Sequence, residues 1–397
     1  MADPSSLEWI SPHILTVFAC LFIFALGLVF GSYLNVVVFR WPRGMPSSSV
    51  GSRCPGCGIP IPKLHNIPVL SYLWLRGRCQ CGEQPIGLRY PLVELLVGFL
   101  ALGLFVTEVL TGGQNLAFRA PDRHAGNWVL WFPRWDLLGI YVMHFTLLYI
   151  LLAMTLIRGD GLRVPWGLAA IAIGVSLAVS ILISEPIAPG GPPSLKPKPG
   201  QTSWLDPSPQ DGRWQNVLDF GKGVICGAVC GFVLGLAMKG IPRGWGDESW
   251  SVFVGMSAIG AALGLASVLP VATLASVLIL ARWLSARALR VLGRVPAVGI
   301  LFFAALGMIL IQRPLFRMFR WPTSFSPSEL FTVQGLSLLV WLLACIFAWW
   351  LAERGRRPLV TANKGLTTPL RTTILPYPAR ASRSSDPDIA SDALRGQ

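Results

Sequence analysis

Phe30-Gly31-Ser32-Tyr33-Leu34-Asn35-Val36-Val37-Val38-Phe39-Arg40 closes an apolar run that begins at His13 and stops on an arginine. The run from His13 to Phe39 exceeds the roughly 20 residues a helix needs to cross a bilayer, so it reads as a membrane span. Gly31, Ser32 and Asn35 within it are small or amide-bearing, the residue types that let helices approach closely in lipid. No cleavable signal peptide fits this N-terminus. Asp3 and Glu8 precede the run without any Lys or Arg, and the run is too long for a signal-peptide core. The span is expected to remain as an anchor.

Working outward, the pattern recurs. The 397 residues are 53% hydrophobic and 13% charged, with a mean hydropathy of +0.58, against roughly 25% charged residues in soluble domains. Repeated runs long enough for a helix, and no alternating ten-residue strands, predict an all-α polytopic membrane protein with about nine transmembrane helices rather than a barrel. The net charge of +14 sits in loops beside spans, where it sets topology, and no nucleic-acid partner is expected.

Beyond the first span, Arg40, Arg43, Arg53, Lys63, Arg76, Arg78 and Arg89 face a single acid, Glu83. Such an excess places this loop in the cytoplasm and the N-terminus outside. The loop holds Cys54-Pro55-Gly56-Cys57 and then Cys79-Gln80-Cys81. Two close thiol pairs on the reducing side suit tetrahedral zinc held by Cys54, Cys57, Cys79 and Cys81. Disulfides or free thiols are the alternative, since the second pair is C-x-C and not C-x-x-C. A zinc knuckle would give this Pro-rich loop, too poor in apolar residues for a core, a reason to fold. The second span runs from Tyr90 to about Leu110, and Glu94 near its start either serves a site or complements the helix dipole. Trp128, Trp131 and Trp135, in the outside loop from Thr111 to Asp136, read as interfacial anchors.

The third span, Leu137 to Ile157, returns to Arg158-Gly159-Asp160-Gly161 and Val164-Pro165, and a fourth follows. Residues 186–219 read as an outside linker rich in Pro, Gly and Ser. The fifth span, Gly221 to Met238, carries Gly223, Gly227, Gly231 and Gly235 on one face for backbone-to-backbone packing, while Cys226 and Cys230 read as core. It leads to the cytoplasmic turn Gly244-Trp245-Gly246-Asp247. Two more spans, divided near Pro270, precede an eighth starting at Val295-Pro296. A ninth, residues 329–352, comes before a polar tail, 353–397, expected to be disordered.

Alternation thus brings the Asp160 turn, the Asp247 turn and the Cys loop to one face. An acid at a membrane boundary is a candidate functional group, although a short Gly and Asp turn can simply end a helix. Two carboxylates that share a proton can act as base and acid, the chemistry of an aspartic peptidase. His13, His65, His124 and His144 lack metal-ligand spacing, and no phosphate-binding Gly loop is present.

At these residues the chain resembles the type IV prepilin peptidases. The matching stretches are Gly31 to Val37, the two Cys pairs, Asn66-Ile67-Pro68-Val69-Leu70-Ser71-Tyr72, Leu75-Arg76-Gly77-Arg78-Cys79, Arg89-Tyr90-Pro91-Leu92-Val93-Glu94-Leu95-Leu96, Val164-Pro165 and Gly244 to Asp247. The resemblance implies an N-terminal domain over residues 1–110 and a membrane aspartic peptidase domain over 137–312. It implies cleavage of prepilin or pseudopilin leader peptides by Asp247 and Asp160, with methylation of the new amino terminus by S-adenosylmethionine. It further implies a place in the bacterial inner membrane, with the active face cytoplasmic and contacts to lipid and to pilus or type II secretion assembly proteins. Three positions depart from the pattern. Arg158 stands where the family has its first catalytic Asp, Ser249 stands where it often has Lys, and the second Cys pair is one residue short. Arg158 would favour ionised carboxylates over a shared proton, although Gly159 and Gly161 permit an irregular turn that re-aims Asp160. A non-proteolytic relative that binds prepilins or assembly proteins is the second expectation, and a transporter the third.

Overall fold

A computed structural model describes residues 4–46, 60–80, 85–116, 133–183, 212–239, 248–285 and 296–318, all within one compact unit, Met1–Arg356. Among them the chain is helical, with no strand and one isolated bridge between Arg78 and Pro85. We number the helices α1 (Pro4–Arg40), α2 (Leu70–Trp74), α3 (Arg89–Leu104), α4 (Trp135–Gly159), α5 (Gly167–Leu182), α6 (Gly212–Lys239), α7 (Ser249–Leu263), α8 (Leu265–Ser285) and α9 (Ala297–Met318). Among the described residues, five stretches are long and apolar enough to cross a membrane, namely Ile14–Arg43, Arg89–Leu110, Trp135–Gly159, Asn216–Met238 and Ala297–Leu315, and three shorter apolar helices lie among them. The ninth span expected over 329–352 and the tail over 353–397 lie outside the described residues.

Contacts at the helix ends fix the alternation. At one end, the Arg40 end, Trp41 packs beside Gly167, Arg89 meets Asp160, and Glu248 meets Ala297. At the other, the Gly113 end, the Asn216 amide donates to the Ile183 carbonyl, and Arg313 donates to the carbonyls of Gly113 and Leu116. Successive apolar helices therefore run in opposite directions, and α6 ends and α7 begins at the Arg40 end.

Glycine decides how closely they pack. In α1, Gly27 and Gly31 lie against the backbone of α3 at Gly98 and Glu94, and a Cβ at Gly31 would be 2.6 Å from the Glu94 Cα. Between α6 and α7 the expected glycine face is present: Gly223, Gly227, Gly231 and Gly235 lie against Gly260, Met256, Phe253 and Ser249. Small residues let two backbones come together and gain dispersion and Cα–H contacts where lipid offers no hydrophobic drive. Cys230 is buried and Cys226 packs against the same core, as expected. The α1–α3 pair joins α4 through an aromatic column of Phe30, Phe145, Tyr149 and Tyr141. The Tyr149 hydroxyl donates to Phe30 O and the Tyr141 hydroxyl to Ala101 O.

Two expected boundaries move. The linker does not extend to Asp219: α6 starts at Gly212, so 212–219 are helical, and the buried Asn216 and Asp219 there find polar partners in Ile183 O and Lys222. The sixth and seventh spans divide at Gly264 and not near Pro270. Gly264 has φ of 70° and ψ of 172°, a conformation open to glycine. Pro270 sits six residues later, inside α8. Pro314 does bend its helix, since the backbone of α9 breaks at Ile311, where proline removes a hydrogen bond and crowds the preceding turn.

Candidate functional site

Of the residues singled out above, Asp160 and Glu94 lie toward the Arg40 end. Helix α4 stops because Gly161 adopts φ of 74°, a left-handed termination, with the Gly161 N–H donating to Arg158 O at 2.9 Å. Gly161 thus ends the helix directly after Asp160. The carboxylate meets Arg89 at the start of α3, accepting from Nη1 at 2.5 Å and Nη2 at 2.9 Å. The two-bond fork gives strong geometry, but the pair is partly exposed, so its net worth is no more than about 1 kcal/mol. Arg158 turns the other way. Its Nη1 donates to Leu162 O, and its buried Nε has no partner.

Asp247 lies outside the described residues, but both flanks are firmly held. The Ser249 hydroxyl donates to Gly235 O at 2.8 Å, closing α6 on α7. Glu248 accepts the Ala297 N–H at 2.5 Å, which satisfies an otherwise unpaired donor at the start of α9.

Of the four cysteines, Cys54, Cys57 and Cys81 lie outside the described residues. Cys79 is buried in a tight reversal. Arg76 and Gly77 take φ of 51° and 70°, the Ile86 N–H donates to Gly77 O at 2.7 Å, and Arg78 pairs with Pro85. No group of three metal-binding side chains occurs among the described residues.

Glu94 is buried in the second turn of α3, past the first turn where the dipole would act. Its carboxylate accepts the Val69 N–H at 2.7 Å and a hydrogen bond from the Ser32 hydroxyl. Val69 holds φ of 61°, costly for a β-branched residue. Glu94 thus ties the Cys loop to the α1–α3 pair. One polar pair has no counterpart in the sequence reading. Glu108, fully buried in a π-helical turn over Phe105–Leu110, meets His144 Nδ1 at 2.7 Å. A Glu and a His inside apolar spans were the available signal.

Residues 25–107 match the family described as Bacterial Peptidase A24 N-terminal domain, and the match ends before α4. Over this part the chain is similar to proteins named prepilin leader peptidase/N-methyltransferase. That of Myxococcus xanthus (strain DK1622) is 52% identical over 79 residues, which are 20% of this chain and 24% of the relative. That of Burkholderia pseudomallei (strain K96243) is 39% identical over 122 residues, 24% of this chain and 40% of the relative. That of Klebsiella pneumoniae is 46% identical over 85 residues, 20% of this chain and 37% of the relative. The chain therefore spans well under half the length of these relatives. No solved structure matches it. The resemblance to the type IV prepilin peptidases holds on these matches.

Proposed function

We propose that this chain is a prepilin leader peptidase of the membrane aspartic type, acting on type IV prepilins or pseudopilins at the cytoplasmic face of the bacterial inner membrane. One observation carries the reading. The acid-bearing turn at Asp160 is bonded to Arg89, a residue of the matched N-terminal segment, so the peptidase-like half and that segment meet at the end where α6 ends and α7 begins. Asp247 and Asp160 then act together: one carboxylate takes a proton from the attacking water while the protonated one donates to the scissile carbonyl oxygen. Asp160 must first leave Arg89, because both of its carboxylate oxygens accept from that guanidinium. Cys54, Cys57, Cys79 and Cys81 would hold one structural zinc ion, consistent with the closed reversal around Cys79. The relatives' names extend the proposal to N-methylation of the new amino terminus, for which S-adenosylmethionine supplies the methyl group. Pilus or type II secretion assembly proteins are the proposed partners.

A second reading has its own support. Arg89 on Asp160, and Arg158 where the family has its first acid, favour a non-proteolytic relative that binds prepilins or assembly proteins. Leader cleavage in membranes, with a prepilin from the same cell, separates the two. Cleavage by wild type that is lost in Asp247→Asn and Asp160→Asn supports the peptidase, since carboxylates that act as one unit are lost together. Arg158→Ala should then cleave at least as fast as wild type. Cleavage that survives Asp160→Asn moves the partner acid elsewhere. A wild type that never cleaves, beside an Arg158→Asp variant that does, supports the second reading.

A further inference from the structure

The segment from Ile67 to Trp74 belongs to a stretch whose charge pattern reads as a polar loop, yet it turns apolar side chains outward. In α2, Leu70, Leu73 and Trp74 are 59%, 64% and 70% exposed, and Ile67 just before them is exposed as well. Four large apolar side chains on one short segment form a patch that marks a membrane or protein contact.

Its depth follows from one hydrogen bond. The Val69 N–H, at the start of α2, reaches Glu94, which lies about 7 Å along α3 from Arg89 at 1.5 Å per residue. Tyr90 at the second residue of α3, Trp166 just before α5 and Trp250 at the second residue of α7 are all exposed at this Arg40 end. Tyrosines and tryptophans at the ends of spanning helices mark the membrane–water boundary. Leu92, between Tyr90 and Glu94, is exposed and apolar, a side chain suited to lipid at that level. The Glu94 side chain tilts back toward the start of its helix, so the start of α2 lies near the level of the aromatic belt, while Arg76 and Arg78, which follow it, are exposed.

We infer that α2 is an interfacial helix that seats Leu70, Leu73 and Trp74 in the boundary between headgroups and acyl chains, with Arg76 and Arg78 at anionic headgroups. The charge favours lipid over a protein occupant, because exposed arginines beside an apolar patch complement an anionic bilayer surface. The Glu94 bond then anchors the Cys loop, with Cys79, to the membrane surface, and the Arg89–Asp160 pair keeps the Asp160 turn there. A peptide held in lipid by an apolar segment could meet them without leaving the bilayer. That last consequence rests on the proposed function, whereas the depth of α2 does not.

The test uses the full chain in nanodiscs containing anionic lipid, labelled with 5-fluorotryptophan, with the Trp74 resonance assigned by Trp74→Phe. Lipid spin-labelled near the top of the acyl chain should broaden this resonance beyond detection, while a water-soluble gadolinium chelate leaves it visible. In Leu70→Ser/Leu73→Ser the order should reverse. Broadening of wild type by the chelate alone overturns the inference in favour of an aqueous loop, and protection from both probes overturns it in favour of a protein cover. Leader cleavage plays no part in the readout, so failure here and failure of the peptidase reading are separate results.

Discussion

Gly31→Ala tests the contact on which the N-terminal arrangement depends. A Cβ at this position would stand 2.6 Å from the Glu94 Cα and 3.1 Å from the Glu94 carbonyl oxygen. Carbon atoms rest at about 3.5–4.0 Å, so α1 and α3 must part by roughly 1 Å, and no rotamer can relieve a clash with backbone. Overpacking of this kind costs about 1–3 kcal/mol. Alanine also gains about 0.8–1.0 kcal/mol of helix propensity over glycine, which would blur the measurement. Gly103→Ala removes that term, because a Cβ at Gly103, within α3, meets nothing inside 4 Å. The difference between the two variants should be about 1–3 kcal/mol, read from reversible unfolding in mixed detergent micelles. Parting the helices also moves Glu94 away from Val69, so the Val69 amide, now held at 2.7 Å, should exchange its hydrogen faster in Gly31→Ala. Stabilities equal within about 0.5 kcal/mol, the usual limit for independent sites, together with unchanged exchange at Val69, would refute the close packing and the tether together.

Three further outcomes are expected. Glu108→Ala should destabilise by about 1–3 kcal/mol, because His144 is left buried without its partner; a double-mutant cycle with His144→Ala that shows no coupling would remove the pair from the account. Purified protein should carry close to one zinc per chain and lose it, with unfolding of the loop, in Cys54→Ser; a metal content near zero and unchanged folding in that variant argue against the zinc site. Ser249→Cys should gain no labelling from a membrane-impermeant thiol reagent outside intact cells, and gain it in inverted vesicles; ready labelling from outside reverses the proposed topology.

The sequence by itself determined the helical membrane class, the alternation of the long apolar helices and the glycine face of α6, because these rest on apolar length and residue size, both local properties. It also carried the resemblance, through short motifs between Gly31 and Leu96. It misjudged where the chain bends, since proline is a visible breaker whereas the conformation of Gly264 depends on how α7 and α8 settle against α6. Only the tertiary structure decided what the acids do. Asp160 lies on Arg89, Glu94 on Val69 and Glu108 on His144, pairs separated by 71, 25 and 36 residues. No periodicity links positions so far apart. A carboxylate in an apolar segment announces that it needs a partner, but which donor lies within 3 Å is fixed by how helices from different parts of the chain pack, and that packing turns each acid from a motif letter into a bonded group.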